Sequence, residues 1–159
     1  MIIRIKKNAD GRTSLSCTRD DGTTTWQSLD GSHARFFPRH DLTHYAVETV
    51  LADRGGFYGL VDSGWDLTDF GAPWPKGRLP VTANFAEMIV GLLDLERATG
   101  HLVTADDINQ RLSEFSVEKG LSPPPRIGED AVEQIRRRRA ELFSAWDQVE
   151  PGDVLELPF

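Results

Sequence analysis

Over the first thirty residues apolar and polar positions alternate with the two-residue period of a strand. Ile3 and Ile5 oppose Arg4 and Lys6, and Leu15 and Cys17 alternate with Ser14, Ser16 and Thr18. Asp10-Gly11 and Asp21-Gly22 supply the turns before and after the second run, and Thr23 to Trp26 begins a third. This pattern predicts a three-stranded antiparallel meander. The last nine residues carry the same signal, with Pro151-Gly152 as a turn and β-prone Val154 to Leu157 behind it. A fourth strand joining the same sheet is expected, with Ile2–Lys6 and Val154–Leu157 as candidate neighbours.

Between the strands the period changes to that of a helix, four times. The first pattern runs from about Asp41 to Ala52, with Ala46, Val47, Val50 and Leu51 on its apolar side. The second has Asn84 as N-cap with Glu87 three residues on, then Phe85, Met88, Ile89, Leu92 and Leu93, and Gly100 as its stop. Leu92 is expected to be fully buried. The third starts at Thr104 with Asp107 in the capping-box position, buries Ile108, Leu112 and Phe115, and ends at Gly120. The fourth pairs Asp130 with Glu133 and buries Val132, Ile135, Leu142, Phe143 and Trp146. Strands at both ends with helices between them predict an α+β fold, one domain over residues 1–159, with about four helices on an antiparallel sheet.

Two stretches break the periodicity. Ser122-Pro123-Pro124-Pro125 reads as a stiff connector. Gly55 to Pro80 holds six glycines among Phe57, Tyr58, Trp65, Phe70 and Trp74, and a long irregular segment inside a compact domain is often functional. Its aromatics offer either core or a partner or ligand surface made by Phe57, Tyr58, Trp65 and Trp74. Asp62, Asp66 and Asp69 lack the spacing and terminal glutamate of an EF-hand.

Charge narrows the function. A formal net charge of −7 disfavours nucleic acid and anionic membranes as partners, leaving a small molecule or another protein. Cys17 is the single cysteine, so the chain can form no internal disulfide and no thiolate zinc cluster, which fits a reducing, cytoplasmic setting. The first residues lack the pattern of a secretory signal, and the longest apolar run, Met88 to Leu93, is too short to span a bilayer. Arg136 to Arg139 point in four directions around a helix and suit ion pairs with the chain's own carboxylates. His33 and His101 lie in loop-like contexts. No GxSxG elbow and no phosphate-binding glycine loop is present.

The densest chemistry is in Pro38-Arg39-His40-Asp41-Leu42-Thr43-His44-Tyr45-Ala46-Val47-Glu48. On a helix, His40, His44 and Glu48 advance by only about 40° per step, so they share one flank with Asp41 beside them. Imidazoles one turn apart plus a carboxylate can chelate a divalent ion such as Zn or Mn and leave a position open for water. The expected metal ligands are therefore His40, His44 and Glu48, with Asp41 and Glu48 as acid/base candidates, in a small divalent-metal-dependent, hydrolase-like enzyme. The competing reading is a binding or structural protein using the 55–80 segment, with Asp41 a helix N-cap that leaves His40 outside the helix.

His40-Asp41-Leu42-Thr43-His44 resembles the HDxxH head of a zinc-binding signature in a ubiquinone-biosynthesis protein family. That signature has a further glutamate twelve residues past the second histidine, where this chain has Gly56. The resemblance covers five residues, and no activity, ligand or residue role is carried over from it.

Overall fold

A computed structural model describes residues 1–159. The N-terminal alternation becomes β1 (Ile2–Lys7), β2 (Thr13–Thr18) and β3 (Thr24–Leu29), and the C-terminal run becomes β4 (Val154–Pro158). The sheet is antiparallel in the order β3-β2-β1-β4. Ile3 faces Cys17 on one side and Leu157 on the other, so the terminal strands are neighbours as the pattern predicted. The two-residue period puts Ile3, Ile5, Leu15, Cys17 and Leu157 on one buried face.

Five helices follow: α1 (Gly31–Leu51), α2 (Phe57–Asp62), α3 (Ala83–Thr99), α4 (Ala105–Lys119) and α5 (Glu129–Asp147), with α1 packed on the sheet, α2, α3 and α5 against α1, and α4 against α3. One core joins them to the sheet through Leu42, Val47, Tyr58, Val90, Leu93, Ile108 and Ile135. The architecture is α+β. No helix is long and apolar enough to cross a membrane.

Some boundaries depart from the sequence pattern. Helix α1 starts ten residues before Asp41, with Asp30 as N-cap and Pro38 inside it. Proline there removes only one N–H···O bond, and the tertiary contacts that bury Ala34 and Pro38 hold the helix together across it. Asp41 is thus an interior residue rather than a cap. Helix α3 begins at Ala83 after Thr82, not at Asn84, and α5 is preceded by Gly128 rather than Asp130. The Thr104–Asp107 capping box forms as expected, Asp107 N–H donating to Thr104 Oγ1 at 3.1 Å. Leu92 is only partly buried, and its neighbour Leu93 is the fully enclosed residue of that turn.

The segment 55–80 is less irregular than it reads. It folds into α2 and a short 3₁₀ turn over Leu67–Phe70. Helix α2 begins at Gly56 and Phe57, which carry no capping side chain, and Glu48 of α1 supplies what is missing. Its carboxylate accepts hydrogen bonds from the backbone N–H of Tyr58 at 3.2 Å and of Gly59 at 2.9 Å. Gly56 makes room for this, since a Cβ there would stand 2.6 Å from Glu48 Cδ.

Candidate functional site

Because α1 is continuous through Pro38, His40, Asp41, His44 and Glu48 all stand on helical backbone, and helical spacing stacks the two imidazoles. Their ring centres are 4.9 Å apart at an interplanar angle of 76°. Helix α3 lies alongside and contributes Glu87 and Asp94, two turns apart on one face.

Each imidazole is held through Nδ1 by a carboxylate. His40 Nδ1 lies 2.8 Å from Asp94 Oδ2, and His44 Nδ1 lies 3.3 Å from Glu48 Oε1. His44 Nε2 points the other way, 3.5 Å from Glu87 Oε1. Ligand atoms of His40, His44 and Glu87 all fall within 4.8 Å of one another. Glu87 is the exposed member, its side chain 41% accessible, whereas the Glu48 side chain is fully enclosed and engaged by His44, Tyr58 and Gly59. The histidine pair therefore converges on Glu87 rather than on Glu48.

The electrostatics favour positive charge. Burial opposes protonation of His44, but its hydrogen bonds to Glu48 and Glu87 outweigh that and push its pKa up to about 10. Burial also works against the charge on Glu87 and Asp94, yet bonding to His44 and His40 respectively holds both below the usual carboxylate range. Asp41 is the exception. It is 4% exposed and accepts no hydrogen bond, and desolvation drives its pKa up to about 7 even though His40 and His44 pull it down. Burial and then the charge of Asp41 lift the Cys17 thiol to about 12, so Cys17 is inert core.

These groups open on a cavity of about 620 Å³ whose lining includes His40, Asp41, His44 and Glu87. Phe57 from α2, Leu67 and Phe70 from the 3₁₀ turn, and Leu79 beyond it share the lining with them. Phe57 lies against His44 at 5.3 Å between ring centres and against Phe70 at 4.6 Å. Of the four aromatics named from the sequence as a surface, Tyr58 is 0% exposed and Phe57, Trp65 and Trp74 are half-buried. Phe57 walls the cavity. A second cavity of about 430 Å³, between the ends of α1 and α3 and the Pro124–Gly128 connection, contains no histidine and no buried carboxylate.

Sequence reasoning reached His40, His44, Asp41 and Glu48 but read Glu87 only as a capping-box residue and passed over Asp94. The available signal was a pair of carboxylates seven residues apart, Glu87 and Asp94, flanking the apolar run Met88 to Leu93. No family model matches the chain, and neither a curated protein nor a solved structure does.

Proposed function

We propose that His40, His44 and Glu87 bind one divalent metal ion, and that the protein is a metal-dependent enzyme working on a small molecule held in the adjoining cavity. One observation carries the reading: both imidazoles are oriented through Nδ1 by carboxylates, His44 turns its Nε2 to the half-exposed Glu87, and ligand atoms of His40, His44 and Glu87 lie within 4.8 Å of one another. Carboxylate–histidine pairs of this kind fix the tautomer and raise the basicity of metal-ligating histidines. Ligands about 2.0–2.2 Å from one ion lie at most about 4.4 Å apart, so the 4.8 Å cluster needs only a small contraction around the ion.

His40, His44 and Glu87 would hold the ion, and a Zn²⁺ or Mn²⁺ there would supply Lewis-acid activation of a water molecule at a remaining position. Asp41, next to His40 and lining the same cavity, would be the base within the site, its proton affinity raised by burial. Glu48 acts at one remove. It positions His44 and ties that imidazole to the helix carrying Phe57. Of the aromatic segment, Phe57 and Phe70 serve as wall of the site, while Trp65 and Trp74 lie outside its lining.

Calorimetric titration of chelator-stripped protein with Zn²⁺ and Mn²⁺ tests this. One ion per chain is expected for wild type, with affinity falling as pH drops because binding must displace the proton on His44. His44→Ala and His40→Ala should each abolish stoichiometric binding. Identical weak isotherms for wild type and both variants would end the metal reading.

A further inference from the structure

We propose that the ligand of this cavity is an uncharged molecule with an aromatic ring and one oxygen donor, and that phosphate esters and other anions are excluded. The inference rests on the metal-site reading for the role of the oxygen donor, while the ring preference rests on the wall and the charge preference on the charged groups around the cavity.

Three observations carry it. First, Phe37, Phe57, Phe70, Leu67 and Leu79 give the cavity an apolar, largely aromatic wall, with Phe37 beside His40 and Phe57 beside His44. Rings there can take another ring edge-to-face or offset, and Phe57 and Phe70 already pack on each other, tilted at 59°. Second, no lysine or arginine lines the cavity. The cations of the adjoining loop are engaged elsewhere: Lys76 pairs with Asp69 at 3.6 Å and bonds the Gly64 carbonyl, and Arg78 sits over the Trp74 ring at 4.7 Å. A phosphate or carboxylate entering would lose its hydration without meeting the guanidinium or ammonium that normally replaces it. Third, Glu48, Glu87 and Asp94 each lie against one of the two imidazoles, so negative charge that a doubly charged ion would attract is already in place. An anionic ligand would add repulsion from Glu87, which stays ionised and faces the cavity directly.

The volume agrees. About 620 Å³ lies within the range of small-molecule sites and holds a bicyclic ring with its polar head. Such a ligand places its oxygen at the His40–His44–Glu87 end and its ring against Phe57 and Phe70.

Three probes separate the features. 2-Naphthohydroxamic acid and acetohydroxamic acid share one chelating head, uncharged in neutral solution, and differ in the ring. 2-Naphthyl phosphate keeps the ring and brings an anion. Each is titrated by calorimetry into metal-stripped and Zn²⁺-treated protein. The naphthohydroxamate should bind at least about tenfold more tightly than acetohydroxamate in both preparations, and at least about tenfold more tightly than the phosphate. Phe70→Ala should shrink the ring preference, and so should Phe37→Ala on α1, with circular dichroism confirming that each variant is folded. Equal affinity of the two hydroxamates, a phosphate that binds as tightly as the naphthohydroxamate, or a ring preference untouched by both variants would overturn the proposal. If no zinc is bound, the two preparations give the same constants and only the metal reading falls; zinc bound without a ring preference sinks this inference alone.

Discussion

Helix α3 carries two sets of buried charges, and they are built on opposite plans. Near its C-terminal end, Glu96 accepts hydrogen bonds from Arg136 Nη2 at 2.7 Å, Arg139 Nη2 at 2.8 Å and the Val103 N–H at 3.0 Å. Arg136 and Arg139 also bond the carbonyls of Val103 and Leu93, so donors and acceptors close on one another. Earlier on the same helix, Glu87 and Asp94 meet His40 and His44, but Asp41 beside them has no hydrogen bond, Glu87 is half-exposed and a cavity adjoins the group. The closed network joins α3 to α5 and to the connection before α4. The open cluster leaves the Asp41 carboxyl without a hydrogen bond and Glu87 facing a cavity, and buried groups with unmet needs are where ligands bind.

Removing the centre of the closed network should have the largest effect. Glu96→Ala leaves Arg139 buried without its carboxylate, and a loss of about 3–5 kcal/mol in urea unfolding is expected. A loss below about 1 kcal/mol would show that the arginines find other partners and that the two clusters do not differ in closure.

Asp41→Asn probes the open cluster through pH, in metal-stripped protein. The native carboxyl holds its proton up to about pH 7, against 3.8 for its ordinary value, so the folded state binds more protons than the unfolded chain between these limits. Wild-type stability therefore falls as pH rises from about 4 to about 7. The loss is a few kcal/mol, at about 1.4 kcal/mol per tenfold change in proton affinity. His40, His44, Glu87 and Asp94 face Asp41, and His44, Glu87 and Asp94 contribute slopes of their own. The lowered Glu87 and Asp94 act below this window and with the opposite sign, while the raised His44 loses its contribution from about 6.5 up to about 10. The difference between wild type and Asp41→Asn isolates Asp41. A difference that stays flat from pH 4 to 7 would mean the carboxyl is solvated in solution.

Glu87→Gln sharpens the contrast with the smallest effect on the fold. On a half-exposed side chain it should change stability by no more than about 0.5 kcal/mol, yet lower zinc affinity at least about tenfold. A large stability loss with unchanged zinc binding would move Glu87 into the structural class of Glu96.

The sheet was legible because its signal is local. Ile3, Ile5, Leu15 and Cys17 alternate over a few residues, and aspartate-glycine turns separate the runs. The start of α1 was not, because Pro38 reads as a helix boundary, and residues 31–37 hold just one fully buried side chain, Ala34, to give a helical period away. The site was half legible. His40 and His44 announce themselves through one-turn spacing, but which carboxylate completes them depends on how α3 lies against α1. Glu48 fits the spacing better than Glu87 does, and it is withdrawn from the set by a task invisible in sequence, the capping of α2. Leu92 and Leu93 show the same limit: helical periodicity identifies an apolar stripe, and the neighbouring helices decide which adjacent leucine lies at its centre.

The link from Glu48 to α2 has a use in recognition. A glutamate can hold a neighbouring helix by its first amides only if the backbone there comes close, and both Gly56 and Gly59 are places where a Cβ would collide, with Glu48 and with the Arg54 backbone respectively. The histidines, the glutamate and the two glycines thus form one physical unit written H-x₃-H-x₃-E-x₇-G-x₂-G from His40 to Gly59. A scan of uncharacterised chains for that spacing, with two carboxylates seven residues apart on a later apolar helix, would find proteins that build this pocket even where the rest of the sequence has drifted beyond alignment.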